Sequence, residues 1–545
     1  MDRRRGRAVA AALLVALLAG CTPVAQNGDT VSLPAVVPAP ASIEAGTGAP
    51  FRLASATTVT GETDAAATLA AIVEARTGLT LRASTGSATG EGDRIELRID
   101  RSTGSATGSG PESYRITVDE ASVVVTGADA AGLFYGVQTL GQLVGRDGDE
   151  WIVPAVTIDD SPRFAYRGVM LDVARHFHPV ETVKGYIERA ASLKFNALHL
   201  HLTDDQGWRI QLAERPELTE RASATAVGGD AGGFYTKADY REIVEYAASR
   251  HMIVVPEIDM PGHTHAVGLA YPALAEDPVV SDDIRETIRV YGGEEPQTGV
   301  PYDGIAVGFS SLKIHDEATY DFVADVFGEL AGMTPGPYLH FGGDESHSTS
   351  DEDFAVFVER VSEIIADLGK TPVAWHEAGA ATGIADTTIG QYWGFRTPQD
   401  GADEKARAFV DNGAQLILSP ADAVYLDMRY PDGPELGLTW ADGPTSVERA
   451  YSWEPSDVIP GIDDSAILGV EAPLWTEMIR TAADIDTMAF PRAAAAAEAA
   501  WSPATGAGEL RTWASFRERV GALGPLWTSL GIGFHPSEEI PWATE

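Results

Sequence analysis

The chain has 545 residues, 44% hydrophobic and 22% charged, a balance that supports a sizeable core without disulfides and leaves room for roughly two to four domains. Its formal charge is −41, from 80 Asp and Glu against 39 Lys and Arg. Nucleic acid and anionic membrane surfaces are therefore excluded as natural partners, since their phosphates would be repelled, and a neutral or cationic ligand fits better.

Residues 1–20 have the anatomy of a signal peptide. Arg3, Arg4, Arg5 and Arg7 form a basic run, and Ala8 to Ala19 an apolar one that falls short of the ~20 residues a spanning helix needs. Leu18-Ala19-Gly20-Cys21 resembles a bacterial lipobox, and Cys21 is the only cysteine, so no internal disulfide can form. The expectation is a lipoprotein signal peptide over 1–20 with Cys21 as the lipidated new N-terminus. The protein would then sit at the extracellular face of a bacterial cell membrane, or be released from it, touching the bilayer only through that anchor. Residues 21–41 are Pro, Ala, Val and polar residues without periodicity and read as a flexible tether.

Residues 42–160 read as a small α+β domain. Arg94 to Ile99 and Tyr114 to Val118 alternate apolar and polar residues as half-buried strands do, between helical patterns at Ala65 to Ala75 and Ala128 to Val144. Ser84 to Asp93, rich in Gly, Ser and Thr, reads as a loop, and the domain gathers no catalytic residue types.

From 161 to 545 the texture changes to continuous apolar strands separated by amphipathic helices. The strands are Gly168 to Val173, Ala197 to Leu202, Ile253 to Ile258, Tyr338 to Phe341, Pro372 to Trp375, Thr388 to Trp393, Gln415 to Leu418 and Ile467 to Val470. Apolar strands alternating with helices predict a parallel sheet covered on both faces. Eight of them predict an α/β chain whose catalytic domain is a (β/α)8 TIM barrel, with the site at the C-terminal strand ends. An open doubly wound sheet is the alternative, but no Gly-rich dinucleotide fingerprint supports it.

Unusual residues gather at those strand ends. Asp172, Arg175 and His176 follow strand one, Asp204, Asp205 and Trp208 strand two, Asp259 and His263 strand three, and Trp375-His376-Glu377 closes strand five. Strand four runs into His340-Phe341-Gly342-Gly343-Asp344-Glu345. Taken alone, that stretch reads as a solvated acidic turn. Neighbouring residues of a strand face opposite ways, so Asp344 and Glu345 cannot act from a regular strand as a matched acid and nucleophile.

From Arg163 to about Pro536 the chain resembles the β-N-acetylhexosaminidases of glycoside hydrolase family twenty, with residues 42–160 similar to their N-terminal domain. The resemblance rests on Leu171-Asp172-Val173-Ala174-Arg175-His176-Phe177, His199 to Arg209, Pro256 to His263 and His340 to Glu345. It implies exo-acting, retaining hydrolysis of terminal β-linked N-acetylhexosamine, GlcNAc or GalNAc, in which the substrate's own 2-acetamido oxygen attacks C1. Glu345 would be the general acid and base and Asp344 the acceptor of the acetamide N–H. Tyr425 would hold the acetamide oxygen, and Trp375, Trp393 and Trp440 would wall its pocket. Arg175 would grip O3 and O4, Glu477 O4 and Asp427 O6, with Trp475 under the ring. His263 and Asp204 would form a relay that helps hold Glu345 protonated. No cofactor or metal is implied.

Several alternatives remain. Disaccharide release, as by a lacto-N-biosidase, shares these motifs. A metal-dependent hydrolase would use His199, His201, His263 and His265, and a non-catalytic lipoprotein would bind such glycans without cleaving them. Arg175 and Asp204 are also suited to a plain structural ion pair, and His176 and His201 to packing. The acidic, Gly- and Pro-bearing segment Asp277 to Gly304 departs from the barrel pattern, and it is placed at the aglycone side, against a neighbouring subunit, or nowhere of consequence.

Overall fold

A computed structural model describes residues 33–84, 93–100 and 110–544. The signal peptide, Cys21 and nearly all of the Ser84 to Asp93 stretch lie outside the described residues. Among the described residues no helix is long and apolar enough to cross a membrane.

The barrel closes from eight parallel strands in chain order. They are β1 (Tyr166–Asp172), β2 (Ala197–His201), β3 (Ile253–Glu257), β4 (Tyr338–His340), β5 (Thr371–Trp375), β6 (Ile389–Tyr392), β7 (Leu416–Leu418) and β8 (Ile467–Ala472). Closure is sealed where β8 pairs with β1, Gly469 opposite Tyr166. Almost every strand residue is buried, because helices cover the outside while side chains fill the inside. The helix Val180–Ser192 shows how: Val183, Tyr186, Ile187 and Ala190 form one buried stripe at helical spacing.

The barrel interior is layered. Tyr166, Ala197, Val255, Val373, Ile389 and Ile417 make an apolar bottom. Above them lies a polar layer in which His199 Nδ1 meets Glu471 Oε1 at 2.8 Å and His199 Nε2 meets Glu257 Oε2 at 3.1 Å. Gln391 donates to Glu471 at 2.7 Å, and Tyr166 donates to the other oxygen of that carboxylate. Against burial, the two glutamates push His199 up to about 10, so the charges are mutually compensated. Met170, Trp375, Tyr425 and Trp475 form the top layer, beneath the site.

The N-terminal domain is a seven-stranded mixed sheet flanked by the helices Thr63–Thr77 and Ala130–Leu143. It docks on the barrel through buried polar contacts. Asp160 accepts from Lys194 Nζ and from the Trp501 indole N–H, both at 3.0 Å, and Arg167 pairs with Glu112 at 2.8 Å.

The described part of the expected tether, residues 33–41, is not a free linker. Val36, Val37 and Ala39 are buried. Val37 N–H donates to Gln142 at 2.8 Å, Ala39 N–H donates to Glu498 at 3.0 Å, and Arg519 donates to the Val36 carbonyl at 2.7 Å. Partners more than a hundred positions away satisfy this backbone, which is why no local pattern announces it.

Candidate active site

Strand β4 ends at His340, one residue earlier than expected, and the backbone then leaves strand geometry. Gly342, Gly343 and Glu345 have φ of 69°, 93° and 45°, in the left-handed region. Strand alternation lapses there, so Asp344 and Glu345 line the same pocket. Asp259, beyond β3, holds the turn: its Oδ1 accepts the Gly343 N–H at 3.0 Å, and a Cβ on Gly342 would stand 1.8 Å from that oxygen. Only glycine fits so close an approach at positive φ. Strain of this kind at Glu345, and at His263 with φ of 53°, is typical of functional sites.

The pocket has a volume of about 370 Å³. Arg175, Trp475 and Glu477 line one end, and Trp393, Tyr425 and Trp440 form an aromatic wall beside Asp344 and Glu345. Trp440 stands edge-on to both Trp393 and Tyr425, with ring centroids 6.0 and 5.7 Å apart. Trp440 is 45% exposed, an aromatic surface left open at the mouth. The Arg175 guanidinium lies over Trp475 at 4.8 Å. Trp375 and Asp427 do not line the pocket surface. Trp375 is fully buried 6.0 Å behind Trp475, its indole N–H given to Glu257 at 2.9 Å. Asp427 is buried beside Glu477, and neither of its carboxylate oxygens has a hydrogen-bond partner.

Asp204 is the hub behind the pocket. One of its oxygens accepts from Arg175 Nη2 at 2.8 Å and contacts His201 Nε2 at 2.9 Å, and the other faces His263 Nδ1 at 3.1 Å. The Arg175–Asp204 ion pair therefore exists, and Arg175 still faces the pocket. His201 reaches on to Glu257. His263 Nε2 lies 3.6 Å from Glu345 and 3.9 Å from Asp344, so one imidazole faces both carboxylates. His263 and His201 thus join the site through Asp204, whereas His199 belongs to the barrel interior and His265 turns away to the Val300 carbonyl at 2.7 Å. Among the described residues the four histidines do not come together at one point, although His199, His201 and His263 each lie against buried carboxylates, Glu257, Asp204 and Asp259 among them.

The two carboxyls differ in setting. Asp344 is 10% exposed in its side chain, with Oδ1 buried and unpartnered, while the Glu345 side chain is 30% exposed. Burial, with Glu345 beside it, pushes Asp344 up to about 6 against the pull of His263. Burial draws Glu345 upward too, yet the contact with His263 outweighs it and holds that carboxyl below its usual range. Despite burial, Asp204, Asp259 and Asp344 keep His263 protonated well above the ordinary histidine range. This direction is opposite to that of the expected relay: an imidazolium favours the Glu345 carboxylate, while burial raises both Asp344 and the neighbouring Asp259. At the other end, burial pushes Glu477 up to about 7 and Asp427 well above its usual value.

Comparison with known proteins agrees with this geometry. The model of the glycosyl hydrolase family 20 catalytic domain matches residues 164–504, and that of the family's domain 2 matches residues 33–161. The chain belongs to glycosyl hydrolase family 20. A beta-N-acetylhexosaminidase of Cellulomonas fimi is 39% identical over 521 residues, covering 93% of this chain and 97% of its own. Among solved structures, a family 20 beta-N-acetylglucosaminidase is 71% identical, with a TM-score of 0.85 over 94% of this chain and all of its own. A GH20 beta-N-acetylhexosaminidase from Streptomyces coelicolor A3(2) is 43% identical with a TM-score of 0.82, covering 93% of this chain and 98% of its own.

Sequence reasoning left some neighbours of this pocket without a role. Asp259, which fixes the glycine turn, and Glu377, which accepts the Trp393 indole N–H at 2.9 Å, were visible only as acids near strand ends. Burial and Asp344 push Glu377 up to about 8. Thr287 and Tyr291 also line the pocket, from inside the segment that departs from the barrel pattern.

Asp344 and Glu345 titrate as one unit around His263. If one carboxyl must donate while the other accepts, the competent free protein carries a single proton on the pair. That proton leaves as pH rises through about 6, so kcat/KM should fall through that pH. The pH dependence of kcat/KM on an aryl N-acetylglucosaminide measures this, and a profile that climbs through pH 6 contradicts it.

Proposed function

We propose that this protein removes terminal β-linked N-acetylhexosamine, GlcNAc or GalNAc, from the ends of glycans or chitooligosaccharides, with retention of configuration. Its relatives carry the names beta-N-acetylhexosaminidase and, at lower identity, N,N'-diacetylchitobiase. A related Streptomyces plicatus beta-hexosaminidase, 43% identical, has been solved as a mutant in complex with the product GlcNAc.

The observation that carries the mechanism is the unpartnered, buried Asp344 Oδ1 beside an aromatic wall. A buried acceptor without a donor is costly unless a ligand supplies one, and an acetamide N–H is such a donor. When the N–H reaches Asp344 it favours the Asp344 carboxylate, and the shared proton passes to Glu345, which the sugar now covers. Loss of water raises Glu345 further and suits it to act as an acid. The acetamide oxygen then attacks C1 while the C1–O bond to the leaving sugar breaks and Glu345 gives its proton to that oxygen. Asp344 stabilises the positive charge on the resulting oxazolinium ring, and Tyr425 orients the acetamide oxygen. Water next attacks C1, Glu345 takes its proton, and the C1–O bond to the acetamide opens. Two displacements at C1 leave its configuration retained.

At the closed end, Arg175 and Glu477 hold O3 and O4 over the Trp475 face, with Asp427 buried beside Glu477. A buried diol-binding end of this kind favours release of one sugar over release of a disaccharide. Trp393 and Trp440 shield the intermediate, with Trp375 backing the wall from below.

Glu345→Gln should remove most turnover on substrates with poor leaving groups. Asp344→Asn should lower kcat by about 10²–10³, as loss of a preorganised charge contact does, although Asp344 is not the proton donor. Steady-state kinetics on N,N'-diacetylchitobiose decide it, and wild-type rates in Asp344→Asn would overturn the mechanism.

We also propose that Cys21 carries a lipid at the extracellular face of the producing cell. Cys21→Ser should then move the protein from the membrane fraction to the medium, and an unchanged membrane fraction would contradict the anchor.

A further inference from the structure

Trp393, which lines the pocket together with Asp344 and Tyr425, stands one residue beyond the sheet. β6 ends at Tyr392, so the strand ladder does not set the direction of the indole that follows. Side chains from the neighbouring strand end set it instead. Glu377 Oε2 accepts the Trp393 indole N–H at 2.9 Å, and the His376 ring packs beside the same indole with centroids 5.4 Å apart. His376 Nδ1 lies 3.4 Å from that carboxyl oxygen, and burial keeps the imidazole neutral by drawing it down to about 3.

The turn that carries Glu377 is itself held. It is the single 3₁₀ turn His376–Ala380 directly after β5, and a Cβ on Gly379 would stand 2.1 Å from the Lys405 carbonyl oxygen, so the turn is pressed against the helix Ala402–Asp411. The Glu377 side chain is only 20% exposed. Burial, with Asp344 and Glu345 nearby, pushes its carboxyl up to about 8, so at neutral pH it fixes the indole without adding a third negative charge beside that pair.

We propose that Glu377 is a positioning residue that sets the size of the N-acyl group the protein accepts, by holding the Trp393 ring through its indole N–H. This deepens the proposed function and rests on the reading of the aromatic wall as the seat of the acetamide. With the acetamide N–H on Asp344 and its oxygen on Tyr425, the methyl end is left to Trp393 and Trp440. Trp440 is exposed at the mouth and has room to yield, whereas Trp393 cannot turn without giving up Glu377. A hydrophobic wall that does not give distinguishes one methylene by about 10–200-fold, and it also keeps the attacking acetamide oxygen in line with C1.

The test compares p-nitrophenyl β-glucosaminides that carry an N-acetyl or an N-propanoyl group. Glu377→Leu, which keeps the bulk but has no acceptor, and Glu377→Ala should each raise the ratio of kcat/KM for N-propanoyl over N-acetyl about tenfold. Glu377→Gln should leave the ratio at its wild-type value, because the amide oxygen accepts the same indole N–H, and this rescue separates the hydrogen bond from the filling of space. An unmoved ratio in Glu377→Leu, or an equal loss on both substrates, overturns the role, as does a Glu377→Gln protein that behaves like Glu377→Leu. Absence of turnover of the N-acetyl substrate by the wild-type protein would instead overturn the proposed function, and this inference with it.

Discussion

The site depends on one backbone turn. Between His340 and Ser346 the chain passes through three residues of positive φ, and Asp259 pins the middle of the turn by accepting the Gly343 N–H at 3.0 Å. A regular strand would have sent Asp344 and Glu345 to opposite faces. The turn brings them to one pocket and one imidazole while giving them unequal surroundings. Asp344 goes inward, where burial raises it, and Glu345 goes toward the mouth, where His263 outweighs burial and keeps it low. Two chemically similar groups acquire different tasks from their depth.

Behind the turn, the barrel interior supplies charges that do not come into contact with sugar. Asp204 joins Arg175, His201 and His263, and His201 passes the chain of contacts to Glu257 and so to the His199 and Glu471 layer. Such a network is favourable only when every member is paired, and removal of one partner leaves an uncompensated buried charge. Buried acceptors left unpartnered around this network include Asp344 Oδ1, Asp259 Oδ2, Asp205 Oδ2 and the two oxygens of Asp427. Asp344 lines the pocket, so a ligand there can supply the donor that its Oδ1 lacks.

Much of this was legible in the sequence because it is local. Largely apolar short runs such as Ala197–His201 and Ile467–Ala472, bounded by helical stretches, read as strands of a doubly covered sheet, and the polar residues that follow each run mark the functional face. What escaped was long-range. The partners of Val36 to Ala39 are Gln142, Glu498 and Arg519, so a stretch without local period read as a tether although it is clamped into the fold. The direction of the His263 effect on Glu345 depends on three carboxylates from three loops, which no spacing reveals. The helix Asp282–Tyr291 carried its own signal, a Ser281 cap and apolar residues at 284, 288 and 291, but its position over the pocket is a property of the loop that follows it.

The division of labour between Asp344 and Glu345 stands on the substrate's acetamide acting as the nucleophile. Stepwise fluorination of that acetyl group in an aryl β-N-acetylglucosaminide weakens its oxygen as a nucleophile while leaving the glycosidic bond unchanged. If the acetamide attacks C1, kcat/KM should fall steadily with each added fluorine, in proportion to the loss of basicity. A rate indifferent to fluorination would require a nucleophile supplied by the protein, and would contradict the role assigned to Asp344.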